Sequence, residues 1–347
     1  MLVSIASRNL RRNLRRSLLT GTSIALGLML MIWMRGLREG GYAQLIDNAV
    51  GTNLGHLQVS LEKSRRGAAA IEDADYITAS AEELSGTRSI APRIVVEGML
   101  GRETKMAPAE LYGVVPAEES KTNLIPQGIL VGRAGEDWCR RELARALPLM
   151  GGDRALFSRW CQAMGAGRFL SDRPGGEVVL GAGIAKRLLA GVGDEISLQT
   201  ENIGERDRRG DAASALTKGR LKIIGVFRTG NPEVDERLAY LHIEELAQMT
   251  GLSGPTEISL VFGSVDDIGE ARSKLSKVVA RAGQDELLLS SWNERAPELE
   301  NLMDIDSKTS NIMYAFLVFL VALGVINSTT MSVLERTKEF GVLIALG

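Results

Sequence analysis

Residues 309–334 carry no charge, and that run constrains what the rest of the chain can be. Coiled as a helix it extends about 39 Å at about 1.5 Å per residue, more than the roughly 30 Å of a bilayer's hydrocarbon core. The run is long enough to span a membrane. A second uncharged run, residues 17–34, follows Arg8, Arg11, Arg12, Arg15 and Arg16, with no acidic residue before it. A cleaved signal peptide is the rival reading of that basic start. The apolar run is long for a signal core, however, no small-x-small site closes it convincingly, and the helical pattern continues through Leu37, Tyr42, Leu45 and Ile46. We therefore read 17–48 as a first span that projects as a stalk. The five arginines place residues 1–16 in the cytoplasm, the long middle segment outside, and the tail from Glu335 back in the cytoplasm.

Apolar residues make up 45% of the 347, too few for a chain embedded throughout, so most of it is soluble. A net charge of −2 supplies no basic field and argues against nucleic acid. Two histidines and two cysteines leave little from which to build a metal site, and none is expected.

In the middle segment, 55–60 alternates as a strand, with His56 a strand residue rather than a ligand. A short helix at 79–84 follows, then strands at 93–100 and 111–115. The pattern resumes with a strand at 257–262, an amphipathic helix at 266–282 and a strand at 286–292. The sum is β-α-β-β plus β-α-β, one small α/β lobe made of 49–115 and 256–300, into which 116–255 is inserted as a mainly-β lobe. Residues 301–334 form the second stalk and span. Residues 202–220 read as a solvated hairpin loop or as a protruding arm that touches an external partner. Gly181 and Gly183 lie on a strand running into a helix, but the third glycine of a dinucleotide fingerprint is missing and no P-loop occurs anywhere. Neither histidine has a nucleophile context, and Glu244-Glu245 and Asp266-Asp267 begin helices, where carboxylates favour the dipole. No catalytic residue is expected. Within the spans, Gly21 with Ala25 and Ser23 with Gly27 form small-residue pairs that admit a neighbouring helix, and Asn327 reads as interhelical glue.

Residues 136–163 suggest a helical hairpin, with Trp138-Cys139 and Trp160-Cys161 nearly symmetric about a turn at 148–153. Residues equidistant from such a turn face each other, so Cys139 and Cys161 are disulfide candidates, the alternative being two unpaired buried thiols.

Past the second uncharged run comes Glu335-Arg336-Thr337-Lys338-Glu339-Phe340-Gly341-Val342-Leu343-Ile344-Ala345-Leu346-Gly347. The order of its Arg-Thr, Glu-aromatic-Gly and Ala-Leu-Gly elements resembles the coupling segment of the ABC permease superfamily that contains the macrolide exporter MacB, the division protein FtsX and the lipoprotein-releasing Lol permeases. Softer likeness covers 165–170, 176–180 and 226–230. The resemblance implies a permease subunit of a mechanotransmission-type transporter, with an outer α/β lobe split by a second lobe. It further implies that Glu335, Arg336, Thr337, Lys338, Glu339, Phe340 and Gly341 dock on an ABC ATPase subunit that binds ATP and Mg, so this chain needs no cofactor. Lys338, Phe340 and Leu343 would form an amphipathic knob on a short helix. A second permease copy or a paralogue completes the dimer, and an extracytoplasmic carrier or adaptor is a candidate partner. The stretch 292–306 looks more like the Lol permeases than like MacB, which makes lipoprotein release the first expectation for substrate. Such permeases have four spans, so two are expected to be missing from this chain, with truncation after 347. The alternative from another class is a two-span membrane sensor, or an FtsX-like regulator of a wall hydrolase.

Overall fold

A computed structural model describes residues 14–61, 69–142, 147–203, 216–263, 267–282 and 287–345. The arginines at 8, 11 and 12, residues 204–215 of the loop expected at 202–220 and the last two residues of the chain lie outside these, while 216–220 of that loop form strand. In chain order, helix α1 (Leu14–Ala49) runs through a π-helical turn (Val50–Leu54) into β1 (Leu57–Leu61), α2 (Ala74–Glu82), β2 (Thr87–Arg102) and β3 (Lys105–Val114). The middle supplies α3 (Pro116–Thr122), α4 (Arg133–Arg141), α5 (Arg154–Met164), β4 (Glu177–Gly181) and α6 (Ala182–Leu188). It continues with β5 (Glu195–Glu201), β6 (Leu216–Phe227), α7 (Pro232–Arg237), β7 (Leu238–His242) and α8 (Ile243–Thr250). Then come β8 (Glu257–Phe262), α9 (Ile268–Arg281), β9 (Leu287–Ser291), α10 (Trp292–Arg295) and α11 (Pro297–Ala345). Two compact units result, 1–46 with 296–347, and 47–295.

The second unit is an α/β domain whose strands follow the order β3-β7-β4-β6-β5-β2-β8-β1-β9, with β3 also paired to β2. Six strands thus close on themselves, and β8, β1 and β9 extend from β2 as an open wing. The wing holds only part of the lobe expected at 49–115 and 256–300, since the strands expected at 93–100 and 111–115 belong to the closed sheet. Leu57, Val59, Ile258, Leu260 and Phe262 pack in the wing against Ile77 and Ala81 of α2 and Ala271 and Leu275 of α9. The i, i+4 spacing of each helical pair lays an apolar stripe on the strands.

The boundary between the lobes falls earlier than the expected residue 115. β2 runs for 16 residues, longer than ordinary strands, and serves both sheets: 87–93 pair with β8, while 93–102 pair with β3. Its later half and β3 place Ile94, Val96, Leu100, Ala107, Ala109 and Leu111 in the core of the inserted lobe. Alternating apolar residues that continue through a lobe junction give no period change by which to locate it. Arg93 is the residue at the crossing, paired in register with both Val114 and Glu257.

His56 sits just before β1, buried, with Nδ1 accepting from the Phe262 amide at 3.0 Å. That bond needs an unprotonated nitrogen, and burial lowers the imidazole's pKa, against the opposing pull of Asp47. The glycines of the near-fingerprint serve packing: a Cβ on Gly183 would lie 2.9 Å from the Asp235 carbonyl oxygen. The Asp235 carboxylate in turn accepts from the amides of Thr229 and Gly230 and from the Thr229 hydroxyl, which builds the turn after β6.

Candidate functional site

α11 opens with Pro297 at its first position and Glu298 and Glu300 in its first turn, where a proline loses no intrahelical bond and carboxylates meet the positive end of the dipole. It then continues unbroken for 49 residues to Ala345, about 74 Å at about 1.5 Å per residue. Within it, 297–331 is long and apolar enough to cross a membrane, the one such helix among the described residues. The segment from Glu335 is therefore not the separate short helix expected from the sequence but an extension of the long apolar helix itself. No proline or helix-ending glycine intervenes, and Gly341 costs only about 1 kcal/mol in a helix interior. The side chains of Glu335, Arg336, Lys338, Glu339, Phe340 and Leu343 lie outside the described residues, so the knob expected of Lys338, Phe340 and Leu343 does as well. Thr337 donates to the Val333 carbonyl at 3.1 Å, Gly341 has open space where a side chain would be, and Val342 and Ile344 are exposed. The described part of this helix end thus presents apolar side chains and a bare glycine to any partner.

Within the same unit, α1 and α11 meet. A Cβ on Gly27 would lie 2.8 Å from a Val321 methyl, whereas Gly21 has nothing within 4 Å. Of the two small-residue pairs, Ser23 with Gly27 faces the partner helix. The two helices border a groove of about 830 Å³ lined by Ser23, Gly27, Leu30, Gly324, Asn327 and Met331, among others. Thr329 turns its hydroxyl back to the Val325 carbonyl at 2.8 Å, as a hydroxyl in an apolar span must when no neighbour offers an acceptor. Farther along, the Tyr42 hydroxyl bonds the Asp306 carboxylate, and the Arg38 guanidinium lies over the Tyr314 ring, 5.6 Å from its centre. These clasps escape sequence reasoning because each joins residues more than two hundred positions apart. Their only signal is a tyrosine and an arginine at helical spacing on an otherwise apolar stalk.

In the inserted lobe, α4 and α5 stand side by side and a disulfide joins Cys139 to Cys161 with their Cα atoms 5.4 Å apart. The rings of Trp138 and Trp160 lie 5.7 Å apart, and Trp160 Nε1 donates to the Ala190 carbonyl at 3.1 Å. α4 runs from Arg133 to Arg141, and residues 143–146 of the helical pattern expected to continue to 147 lie outside the described residues. Asp153 caps α5, and the amides of Leu156 and Ala155 hold its carboxylate below the usual range.

The molecule is thus an α/β domain inserted in sequence between two long helices, the second of them apolar enough for a membrane and ending in a conspicuous charged and glycine-containing tail. That is the class of chain found among ABC-type permeases, and sequence comparison bears out the resemblance. No family model matches the chain. It is 22% identical over 357 aligned positions to the lipoprotein-releasing system transmembrane protein LolC of Xylella fastidiosa strain Temecula1, an alignment covering 99% of this chain and 73% of LolC. It is 22% identical to LolC of Neisseria meningitidis serogroup B, covering 97% and 71%. Among solved structures it is similar to the periplasmic region of MacB from Actinobacillus actinomycetemcomitans, at a TM-score of 0.41 and 16% identity, covering 74% of this chain and 96% of that one. The extracellular domain of the ABC-type transporter YknZ matches at 0.40 and 11%, covering 69% and 100%.

Proposed function

We propose that the chain is the permease subunit of an ABC transporter of the mechanotransmission type, acting in lipoprotein release. The observation that carries this reading is the similarity to LolC along 99% of the chain, across both long helices and the domain between them. In this reading α1 and α11 both span the inner membrane, the α/β domain is periplasmic, and the segment from Glu335 to Gly341 engages a separate ATPase in the cytoplasm. Hydrolysis happens in that partner, which holds the ATP and Mg, and this chain contributes no catalytic group. A second permease copy or paralogue would complete the complex, and an extracytoplasmic carrier would receive the cargo. Two features support the scheme. One uninterrupted helix joins the apolar span to the coupling segment, so displacement at its inner end is carried along a stiff rod. A disulfide in the domain fits an oxidising compartment.

The test is to isolate the full chain from its native membrane in mild detergent, identify bound proteins by mass spectrometry and assay ATP hydrolysis. An ABC ATPase should copurify and turn over ATP, and the Glu339→Ala/Phe340→Ala variant should lose that subunit or its coupling while still inserting in the membrane. Isolation with no ATPase, or a variant that keeps both the subunit and its coupling, overturns the reading.

A further inference from the structure

At the crossing point of β2, Arg93 is almost completely buried, and its partners come from distant parts of the chain. Its Nε and Nη2 donate to the two carboxylate oxygens of Glu119 on α3 at 2.9 and 2.8 Å, a two-pronged pair. Its Nη1 donates to the main-chain carbonyl of Asn53 at 2.7 Å and lies 3.5 Å from Glu257 Oε1 on β8. The other oxygen of Glu257 accepts from Nη2 of Arg295 at 3.0 Å. Asn123 Nδ2 donates to Glu119 Oε1 at 2.7 Å and closes the set from the α3 side.

The members are placed with a pattern. Asn53 belongs to the π-helical turn by which the chain arrives from α1, and Arg295 ends α10, the last element before α11 begins at Pro297. A single guanidinium therefore holds the arriving segment directly and the departing segment through Glu257, while its own backbone sits where β2 passes from the wing into the closed sheet. Gly55 lets the arriving chain come this close: its φ is +63°, and a Cβ there would lie 3.1 Å from the Leu260 carbonyl oxygen. Stability alone is a weak reason for such a cluster, since apolar residues of like volume generally do as well as a buried ion pair. Beside it, Asn53 Oδ1, Gln58 Oε1 and Ser259 Oγ are buried without a hydrogen-bond partner among the described residues. They leave hydrogen-bonding capacity to spare beside the joint.

We propose that the Arg93–Glu119–Glu257–Arg295 network is the joint that locks the two helix attachments to one another and to both sheets, with Arg93 the positioning residue through which motion of the helices reaches the domain. The transmitting role rests on the permease reading; the joint itself does not. Two arms of one experiment separate them. In the nucleotide-free full chain, hydrogen exchange is followed by mass spectrometry for wild type and Glu257→Gln. Arg295→Gln, at a partly exposed position, stands in where Glu257→Gln does not fold. Exchange in 50–54 and 292–295 should quicken together by about tenfold, the loss expected of one charge-assisted hydrogen bond, with β4 unchanged. Acceleration of one segment alone, of neither, or of β4 equally, overturns the joint. In the complex with its copurified ATPase, trapping with ATP and vanadate should alter exchange in 93–102 of wild type, and Glu257→Gln should abolish that change while ATP hydrolysis persists. Failure to copurify any ATPase overturns the permease reading and the transmission with it, whereas a wild-type complex with no nucleotide-dependent change in 93–102 overturns the transmission alone. A change that survives in the variant overturns the transmission alone.

Discussion

Removing the Cys139–Cys161 bond has a consequence that the structure makes quantitative. The bridge closes a loop with a sequence separation of 22, for which the chain-entropy treatment gives about 3 kcal/mol of stabilisation through the unfolded state. In a domain of this size each kcal/mol moves the midpoint by about 2–4 °C, so the loss should lower the melting temperature by about 6–12 °C if the hairpin unfolds with the rest of the domain. The choice of substitution matters. Cys139 is fully buried, and a serine there would bury an extra hydroxyl that needs a partner, so Cys139→Ala/Cys161→Ala isolates the crosslink better. The assay is calorimetry of the full chain purified without reductant, alongside the double variant and reduced wild type, with non-reducing peptide mapping to establish the linkage. The variant and the reduced protein should fall by similar amounts. Protease nicking should also increase around Gly151 and Gly152, whose positive φ values of 65° and 79° mark the tip. Free thiols in the untreated protein, or a melting temperature unchanged in both samples, would refute the reasoning. A drop in protease resistance with no thermal shift would show instead that Trp160 and its bond to Ala190 hold the hairpin on the core unaided.

Four further outcomes follow from the same geometry. Gly27→Leu should weaken association of α1 with α11, read as loss of a Gly27-flanking crosslink or of thermal stability in detergent, while Gly21→Leu, facing open space, should not; equal effects would remove the packing role assigned to Gly27. His56 has a folded-state pKa below its ordinary 6.5, so its contribution is fully present above that value and is lost as pH falls through the depressed folded value. Urea titrations should show stability falling on acidification below about pH 6.5, with the slope reduced in His56→Asn; an unchanged slope would show that other groups carry it. Cysteines introduced at Asn13 and Lys338 should resist an impermeant thiol reagent in intact cells while one at Asp211 reacts, and the reverse pattern would sink the topology. Glu339→Ala alone should uncouple transport from ATP hydrolysis with insertion intact, and normal transport would reduce the segment to a membrane flank.

The wing was legible because its signals are local. The strand at Glu257–Phe262 has the bounds read from its apolar run, and α9 begins within two residues of the amphipathic pattern that marks it, since burial against a flat sheet imposes its period on the sequence. β2 was read only as 93–100, because Thr87, Arg88 and Ser89 are polar and Pro92 cannot donate to a ladder. Thr87, Ser89 and Pro92 nevertheless pair with β8, with an irregularity at Arg88 that lets the strand continue past it. The segment from Glu335 stands out in the sequence as a pattern but not as geometry. Its order of residues is local, whereas its continuity with the long apolar helix depends on the absence of any helix-breaking residue over 49 positions, a property of the whole element rather than of the motif.

The Arg93 network shows where such reading must stop. In the sequence Arg93 opens the strand expected at 93–100 and Glu257 the strand expected at 257–262, each at an edge where a charged side chain ordinarily reaches water. What buries both is that the two strands pair in register at those very residues, so that each charge becomes the other's neighbour and Glu119, 26 positions on, fills the remaining side. Desolvation of Glu257 raises its pKa, opposed by Arg93 and Arg295, and the guanidinium of Arg93 is held charged by Glu119 and Glu257 against its own desolvation. Neutralising one member must then strand another charge inside, whereas a surface pair would lose little. The severity of Arg93→Met relative to Arg35→Met is accordingly a direct measure of that burial. The first should unfold the domain or cost several kcal/mol in chemical denaturation. The second removes a solvent-exposed i, i+4 partner of Glu39 and should leave the denaturation curve in place. Equal effects would mean that the charges at the crossing reach water after all.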